Sequence, residues 1–136
     1  MDELSHLFPR QTASTEQYTY AKPVRGSEFK VFGSGNQKRD FVYVEDIAYC
    51  NFTALLSGEV GTFNACTGRS HSVNEVMSEL SGLWGSDAVW EHTKVSDPRG
   101  DVHLDSRPIR NALGWEASVS LREGLTRTME WWREQK

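Results

Sequence analysis

Two arginines beside turns, Arg39 and Arg99, are the side chains in this sequence best suited to hold a dense anion such as a diphosphate. A guanidinium group is planar, always charged and able to donate two parallel hydrogen bonds. Asp101 follows a glycine, so the backbone there can approach a ligand and the carboxylate can accept two hydroxyls. Two simpler alternatives stay open: a surface ion pair between Arg39 and Asp40, and an ordinary turn over residues 99–101.

The elements that must position these residues are predicted to form an α/β domain with a small sheet. Residues 1–28 are polar and are expected to be irregular, whereas residues 29–136 are expected to form the domain. Alternating or β-rich runs predict strands at residues 29–32, 40–44, 62–66 and 88–91. Caps and helical periodicity predict four helices: from Asp46 to Gly58, after a capping box at Ser72 and Glu75, from Asp105 to Gly114, and after a second box at Ser120 and Glu123.

Composition narrows the classes of function. A chain of 136 residues fits one domain, and its net charge of −4 argues against nucleic acid as a partner. Cys50 and Cys66 lack the spacing of a dithiol or zinc site, and the four histidines show no metal spacing, so no metal is expected. There is no apolar run of membrane-spanning length and no signal-peptide pattern, so we expect a cytoplasmic protein without a membrane partner.

Four motifs, in order along the chain, carry a family resemblance. Residues 31–48 (VFGSGNQKRDFVYVEDIA) resemble the "fGdGxQxRDFvyVxDvA" signature of the extended short-chain dehydrogenases/reductases. Residues 61–68 (GTFNACTG) resemble that family's "GxxfNxGtG", and residues 98–101 (PRGD) resemble its "RpGD". Residues 113–115 (LGW), followed by 120–125 (SLREGL) and Trp131, resemble its C-terminal pattern. Residues 29–132 match well and residues 9–28 match poorly, although PRQ at 9–11 resembles the "GPRq" loop.

The resemblance implies a fold and a ligand. Family members are NAD-dependent epimerases and dehydratases of sugar nucleotides, and this chain is similar to their C-terminal, substrate-binding region without the Rossmann N-terminal half. By this resemblance Arg39 and Arg99 bind the diphosphate of a nucleotide-diphosphate sugar, and Asp101 contacts the ribose. The strand that includes Val31 and Phe32 lies along the base.

The sequence departs from the family at the cofactor and the catalytic pair. It contains neither G-x-G-x-x-G nor G-x-x-G-x-x-G, so no cofactor site is expected in this chain, although the complete family enzyme uses NAD. Tyr18 and Lys22 have the spacing of the family's helical Tyr-x-x-x-Lys pair. They follow residues 9–11 instead of preceding them, and Pro23 opposes a helix, so no catalytic residue is assigned.

Two hypotheses of function therefore stand beside each other. In the first, the chain supplies sugar-nucleotide binding to a partial epimerase or dehydratase that is inactive without a separate Rossmann half. In the second, it is a non-catalytic binding or interaction module that self-associates as a homodimer. An uncovered apolar surface is expected on the helix from Asp46 and around Phe41, Tyr43 and Phe52, which either a second copy or residues 1–28 could cover.

Overall fold

The structure is a computed structural model, and it describes residues 21–24, 28–84, 89–94 and 100–134. The described part contains five strands: β1 (Ala21–Val24), β2 (Glu28–Phe32), β3 (Lys38–Asp40), β4 (Ser70–Ser72) and β5 (Val89–Thr93). It contains four helices: α1 (Val44–Ser57), α2 (Val73–Trp84), α3 (Arg107–Leu113) and α4 (Leu121–Glu134). These elements confirm the α/β class that the sequence predicts. None of the described helices is both long enough and apolar enough to cross a bilayer.

The described residues form two compact units. The first unit draws on residues 1–37 and 72–100, and the second on residues 38–71 and 101–136.

The first unit is a three-stranded sheet together with helix α2. β2 lies in the middle, antiparallel to β1 and parallel to β5. Val31 of β2 has no exposed surface and forms a small core with Val73 and Met77 of α2. β1 lies inside the segment that the sequence predicted to be irregular, and its Pro23 is tolerated because β1 is an edge strand.

The second unit holds the two-stranded sheet of β3 and β4 and the helices α1, α3 and α4. Its core consists of Cys50, Ile109 and Trp115, all buried. The indole N–H of Trp115 donates to the backbone oxygen of Asp46 at 3.1 Å, which satisfies the polar atom of the largest core side chain.

Local signals at helix ends agree with the sequence analysis in several places. The Ser72 N–H donates to Glu75 Oε2 at 2.6 Å, and the Glu75 N–H donates to Ser72 Oγ at 3.1 Å, which confirms the first capping box. At the second box the Glu123 N–H donates to Ser120 Oγ at 3.2 Å. Helices α1 and α3 end at Gly58 and Gly114, which adopt left-handed φ values of 71° and 63°.

Two strand predictions and one cap prediction are wrong. Residues 62–66 have no strand partner in the described part of the chain, and the strand predicted over residues 40–44 is replaced by β3, which ends at Asp40. Helix α1 begins at Val44, so Asp46 lies inside it and does not cap it. The carboxylate of Asp46 binds a distant segment of the chain instead, as described below.

Candidate functional site

The second unit places Asp101 beside strand β3. Asp101 Oδ1 accepts the backbone N–H of Lys38 at 2.9 Å, and the backbone N–H of Val102 donates to the Lys38 oxygen at 3.0 Å. These two bonds hold the chain after the PRGD motif against the start of β3, although the residues are 63 positions apart in sequence. The motif of residues 31–48 and the last residue of the PRGD motif therefore meet at Lys38.

Arg39 follows Lys38 in β3 and is only 8% exposed. Its Nη1 donates to the Lys38 backbone oxygen at 2.7 Å. A buried guanidinium group must satisfy its donors, and this bond satisfies one of them close to its own backbone. Arg39 thus lies in a strand next to the Asp101 contact, fixed by its surroundings and not extended into solvent.

Asp40 anchors the segment that resembles "GxxfNxGtG". Its Oδ1 accepts from the Thr67 N–H at 2.9 Å and from Thr67 Oγ1 at 2.8 Å, and its Oδ2 accepts from the Gly68 N–H at 2.8 Å. Gly68 has a left-handed φ of 74°, which lets two successive N–H groups point at one carboxylate. The sequence analysis left open a surface ion pair between Arg39 and Asp40. The structure disfavours it, because Arg39 is buried and both Asp40 carboxylate oxygens accept hydrogen bonds from Thr67 and Gly68.

Ser70 and His103 extend the site along β4, and sequence reasoning missed them as a pair. Ser70 Oγ lies 3.1 Å from the Val102 backbone oxygen and 3.0 Å from His103 Nδ1. The Val102 oxygen can only accept, so the single hydroxyl proton goes to it and His103 Nδ1–H donates to Ser70. In the neutral ring Nε2 is then the acceptor, on a side chain that is exposed. Ser70 and His103 are 33 positions apart, so only the folded structure shows that they are neighbours.

Asp46 ties helix α1 to the segment before α4. Its carboxylate accepts from Ser118 Oγ at 2.8 Å, from the Val119 N–H at 3.0 Å and from the Ser118 N–H at 3.2 Å. Burial alone would raise the pKa of Asp46, but these hydrogen bonds and the charge of Arg127 outweigh burial, and the pKa lies below its ordinary value. Asp46 is therefore a structural carboxylate.

Of the remaining candidate residues, some lie in the first unit and others lie outside the described part of the chain. Val31 and Phe32 belong to the first unit, where Val31 is fully buried in the core and Phe32 is half-buried. Any contact of Val31 with a ligand would have to use its backbone. Arg99 and Tyr18 lie outside the described residues. Lys22 lies in strand β1, whereas the family's catalytic lysine belongs to a helix.

Two described strand–helix junctions lack the turn that usually holds a dinucleotide cofactor. A pyrophosphate is normally held by a glycine-rich turn between a strand and the N-terminus of a helix. Here β3 leads to α1 through residues 41–43 (FVY), and β4 leads directly into α2, so neither of these two fully described junctions contains a glycine. The described residues also contain no group of three His, Cys, Asp or Glu side chains that could hold a metal ion.

Fold and motifs together define an α/β protein of the sugar-nucleotide epimerase and dehydratase class. A family model described as GDP-mannose 4,6 dehydratase matches residues 9–128, and the chain belongs to this family. The resemblance drawn from the sequence motifs is thereby confirmed.

Individual relatives give the same result. UDP-glucuronate 4-epimerase of Thermodesulfobacterium geofontis is 33% identical over 109 residues, covering 77% of this chain and 33% of the relative. The structure of UDP-glucose 4-epimerase with UDP-glucose from Thermotoga maritima is 34% identical, with a TM-score of 0.70 over 78% of this chain and 35% of the other. MoeE5, solved with UDP-glucuronic acid and NAD, is 32% identical, with a TM-score of 0.73 over 83% and 39%. The chain thus spans about a third of the length of these proteins.

Proposed function

We propose that this chain supplies nucleotide-diphosphate-sugar binding to an NAD-dependent epimerase or dehydratase, as the C-terminal part of such an enzyme. The observation that carries the proposal is the pair of hydrogen bonds between Lys38 and residues 101 and 102, which joins the motif of residues 31–48 to the end of the PRGD motif. Two relatives that share 32% and 34% of their aligned residues with the chain were solved with UDP-glucuronic acid and UDP-glucose.

The chemistry of the site suits the diphosphate and ribose of such a ligand. Arg39 puts a cationic side chain in the middle of β3, and a fixed guanidinium group binds a diphosphate with little further loss of conformational freedom. Asp101 stays exposed while Oδ1 binds the Lys38 N–H, so its carboxylate is at the surface where ribose hydroxyls could donate to it. We assign Arg99 to the same diphosphate from the family motif.

Catalysis is assigned to the complete enzyme and not to this chain alone. The sequence lacks the glycine-rich motif that binds NAD in the family, and no Tyr–Lys pair is assigned. We therefore propose that turnover requires a separate Rossmann half.

The second candidate is a non-catalytic module that kept the fold and associates with itself. The exposed apolar side chains of helix α1 favour it. The two candidates differ in whether any partner restores turnover.

A ligand panel tests the proposal. Thermal unfolding of the full chain would be followed with UDP-, dTDP-, GDP- and ADP-sugars, and any stabilising ligand would be measured by calorimetry. We expect at least one of the four to raise the melting temperature in a saturable way, because a ligand that binds only the folded state stabilises it. Absence of any shift at millimolar ligand would overturn the proposal.

A further inference from the structure

Exposed and half-buried side chains alternate along residues 101–106. The exposed ones are Asp101, His103 and Asp105, and the residues that alternate with them are half-buried. A period of two is typical of an extended chain, in which side chains two positions apart lie on the same side and about 6–7 Å from each other. These three side chains therefore form one row on the surface of the second unit.

This row lies beside the guanidinium group of Arg39. The Lys38 backbone oxygen accepts from Arg39 Nη1 at 2.7 Å and from the Val102 N–H at 3.0 Å. Two donors that share one acceptor oxygen lie within about 6 Å of each other. Val102 is the residue between Asp101 and His103, so a nucleotide whose diphosphate binds Arg39 would bring its ribose close to both of these side chains.

Asp101 and His103 each keep one acceptor that the described part of the protein does not use. Asp101 Oδ1 accepts a backbone N–H, while Oδ2 has no hydrogen-bond partner among the described residues. His103 Nδ1–H donates to Ser70 Oγ at 3.0 Å, which leaves Nε2 as the acceptor of the neutral ring. Asp105 differs, because Arg107 Nε and Nη2 donate to its two carboxylate oxygens at 2.9 and 2.8 Å.

Ser70 orients the imidazole ring more than it holds the segment. Val102 is already fixed on both sides of its backbone, since its N–H donates to the Lys38 oxygen and its own oxygen accepts from Ser70 Oγ at 3.1 Å. The bond from His103 is therefore not needed to hold the backbone. Because the Ser70 hydroxyl proton is committed to Val102, the neutral ring donates from Nδ1 and keeps its acceptor on Nε2.

We propose that His103 determines specificity for ribonucleotides: its Nε2 accepts one of the two vicinal ribose hydroxyls, and Asp101 Oδ2 accepts the other. The two hydroxyls stand on adjacent carbons and each O–H···acceptor bond adds about 2.7–2.8 Å, so acceptors about 6–7 Å apart can receive one each. A deoxyribose lacks one donor and would leave one of the two acceptors unpaired in the complex. This inference rests on the proposed function, because it assigns a second contact of the same ligand.

Calorimetric titrations of the full chain at pH 8, where an imidazole is ordinarily neutral, test the proposal. The ligands are UDP, GDP and ADP, each beside its 2′-deoxy and 3′-deoxy forms. We expect the wild-type chain to bind the preferred ribonucleotide about 3–10-fold more tightly than either deoxy form, the magnitude of one hydrogen bond. In His103→Ala the penalty for one deoxy form should fall below about twofold, because its acceptor is gone, while the penalty for the other should persist.

His92→Ala is the matched control. His92 is also exposed, and its Nδ1 likewise lies 3.1 Å from an oxygen, that of Gly33, but it belongs to the first unit. Both deoxy penalties should be the same in this variant as in the wild type, and melting curves show that each variant folds.

The two possible failures give different results. If the wild-type chain binds a ribonucleotide and both deoxy penalties are absent, or both persist in His103→Ala, the role of His103 is overturned and the proposed function stands. If the chain binds none of the three ribonucleotides, the proposed function fails and the role of His103 fails with it.

Discussion

At the scale of single residues, Arg39 combines a predicted ligand contact with burial in β3. If a sugar nucleotide binds, Arg39→Ala or Arg99→Ala should each weaken binding by about 1.5–3 kcal/mol, the magnitude of a hydrogen bond to a charged group. Asp101→Asn should cost less, because an amide oxygen can still accept from the Lys38 N–H. Isothermal titration calorimetry measures all three variants.

The control for this prediction is Arg110→Ala. Arg110 is an exposed arginine of the same unit whose Nη2 pairs with Glu116 at 2.5 Å, and its removal should leave ligand affinity unchanged. Equal affinities for the wild-type chain and for both the Arg39 and Arg99 variants would show that the ligand lies elsewhere. Thermal melting of Arg39→Ala is needed beside the titration, because loss of a buried side chain also affects stability.

Substitution of Asp46 is predicted to change stability and not ligand affinity. Asp46→Ala should lower the free energy of unfolding by about 1.5–3 kcal/mol, because the half-buried hydrogen bonds that Ser118 and Val119 donate to this charged group would be lost. Chemical denaturation of variant and wild type gives the difference. Asp105→Ala, which removes an exposed carboxylate paired with Arg107, should change stability little.

The pH dependence of stability follows from the same carboxylate. Since the pKa of Asp46 in the folded chain lies below the ordinary value of 3.8, its contribution is fully present above that value and is lost as the pH falls through the folded pKa. Denaturation curves between pH 7 and pH 2 should therefore show a steeper loss of stability for the wild type than for Asp46→Asn. Equal slopes would mean that the hydrogen bonds to Ser118 and Val119 do not persist in solution.

At the scale of elements, two glycines with the same φ allow the cost of backbone strain to be distinguished from the cost of a steric clash. Gly35 and Gly58 both have a φ of 71°, but a Cβ at Gly35 would lie 2.1 Å from Asn74 Oδ1, whereas a Cβ at Gly58 meets nothing within 4 Å. Gly58→Ala should cost only the left-handed strain, about 1 kcal/mol. Gly35→Ala should cost about 1–3 kcal/mol more, because the Asn74 side chain must move away.

The contacts of Asn74 explain why a side chain at position 35 is expected to destabilise the fold. Its backbone N–H donates to the Gly35 oxygen at 3.0 Å, and its Nδ2 donates to Ser34 O and Asn36 Oδ1 at 3.0 Å each. These bonds hold the turn after β2 against the start of α2 within the first unit. Unfolding in urea measures both variants, and a Gly35→Ala cost no larger than that of Gly58→Ala would contradict the predicted packing.

At the scale of the whole molecule, the missing glycine-rich junction leads to a negative prediction. The purified chain should neither bind NAD nor turn over UDP-glucose or UDP-glucuronic acid, because its sequence lacks the glycine-rich motif that holds the pyrophosphate. Calorimetry with NAD and a chromatographic assay of the sugar nucleotides test this. MoeE5, which was solved with NAD, serves as the positive control. Saturable NAD binding by this chain would contradict the prediction.

The sequence by itself determined the features that depend on near neighbours. The first capping box at Ser72 and Glu75 and the helix ends at Gly58 and Gly114 were all predictable, because a cap or a left-handed turn involves residues only a few positions apart. Family membership was equally accessible, since its motifs are contiguous stretches in a constant order.

Only the tertiary structure decided the features that depend on distant partners. Residues 62–66 have the pattern of a strand, but a strand also needs a neighbour, and none is present in the described part of the chain. Asp46 has the pattern of a helix cap, yet its partners are 72 and 73 residues away. The bonds that join Asp101 and Val102 to Lys38 likewise exist only once the chain has folded, because nothing in the local pattern encodes contacts over that separation.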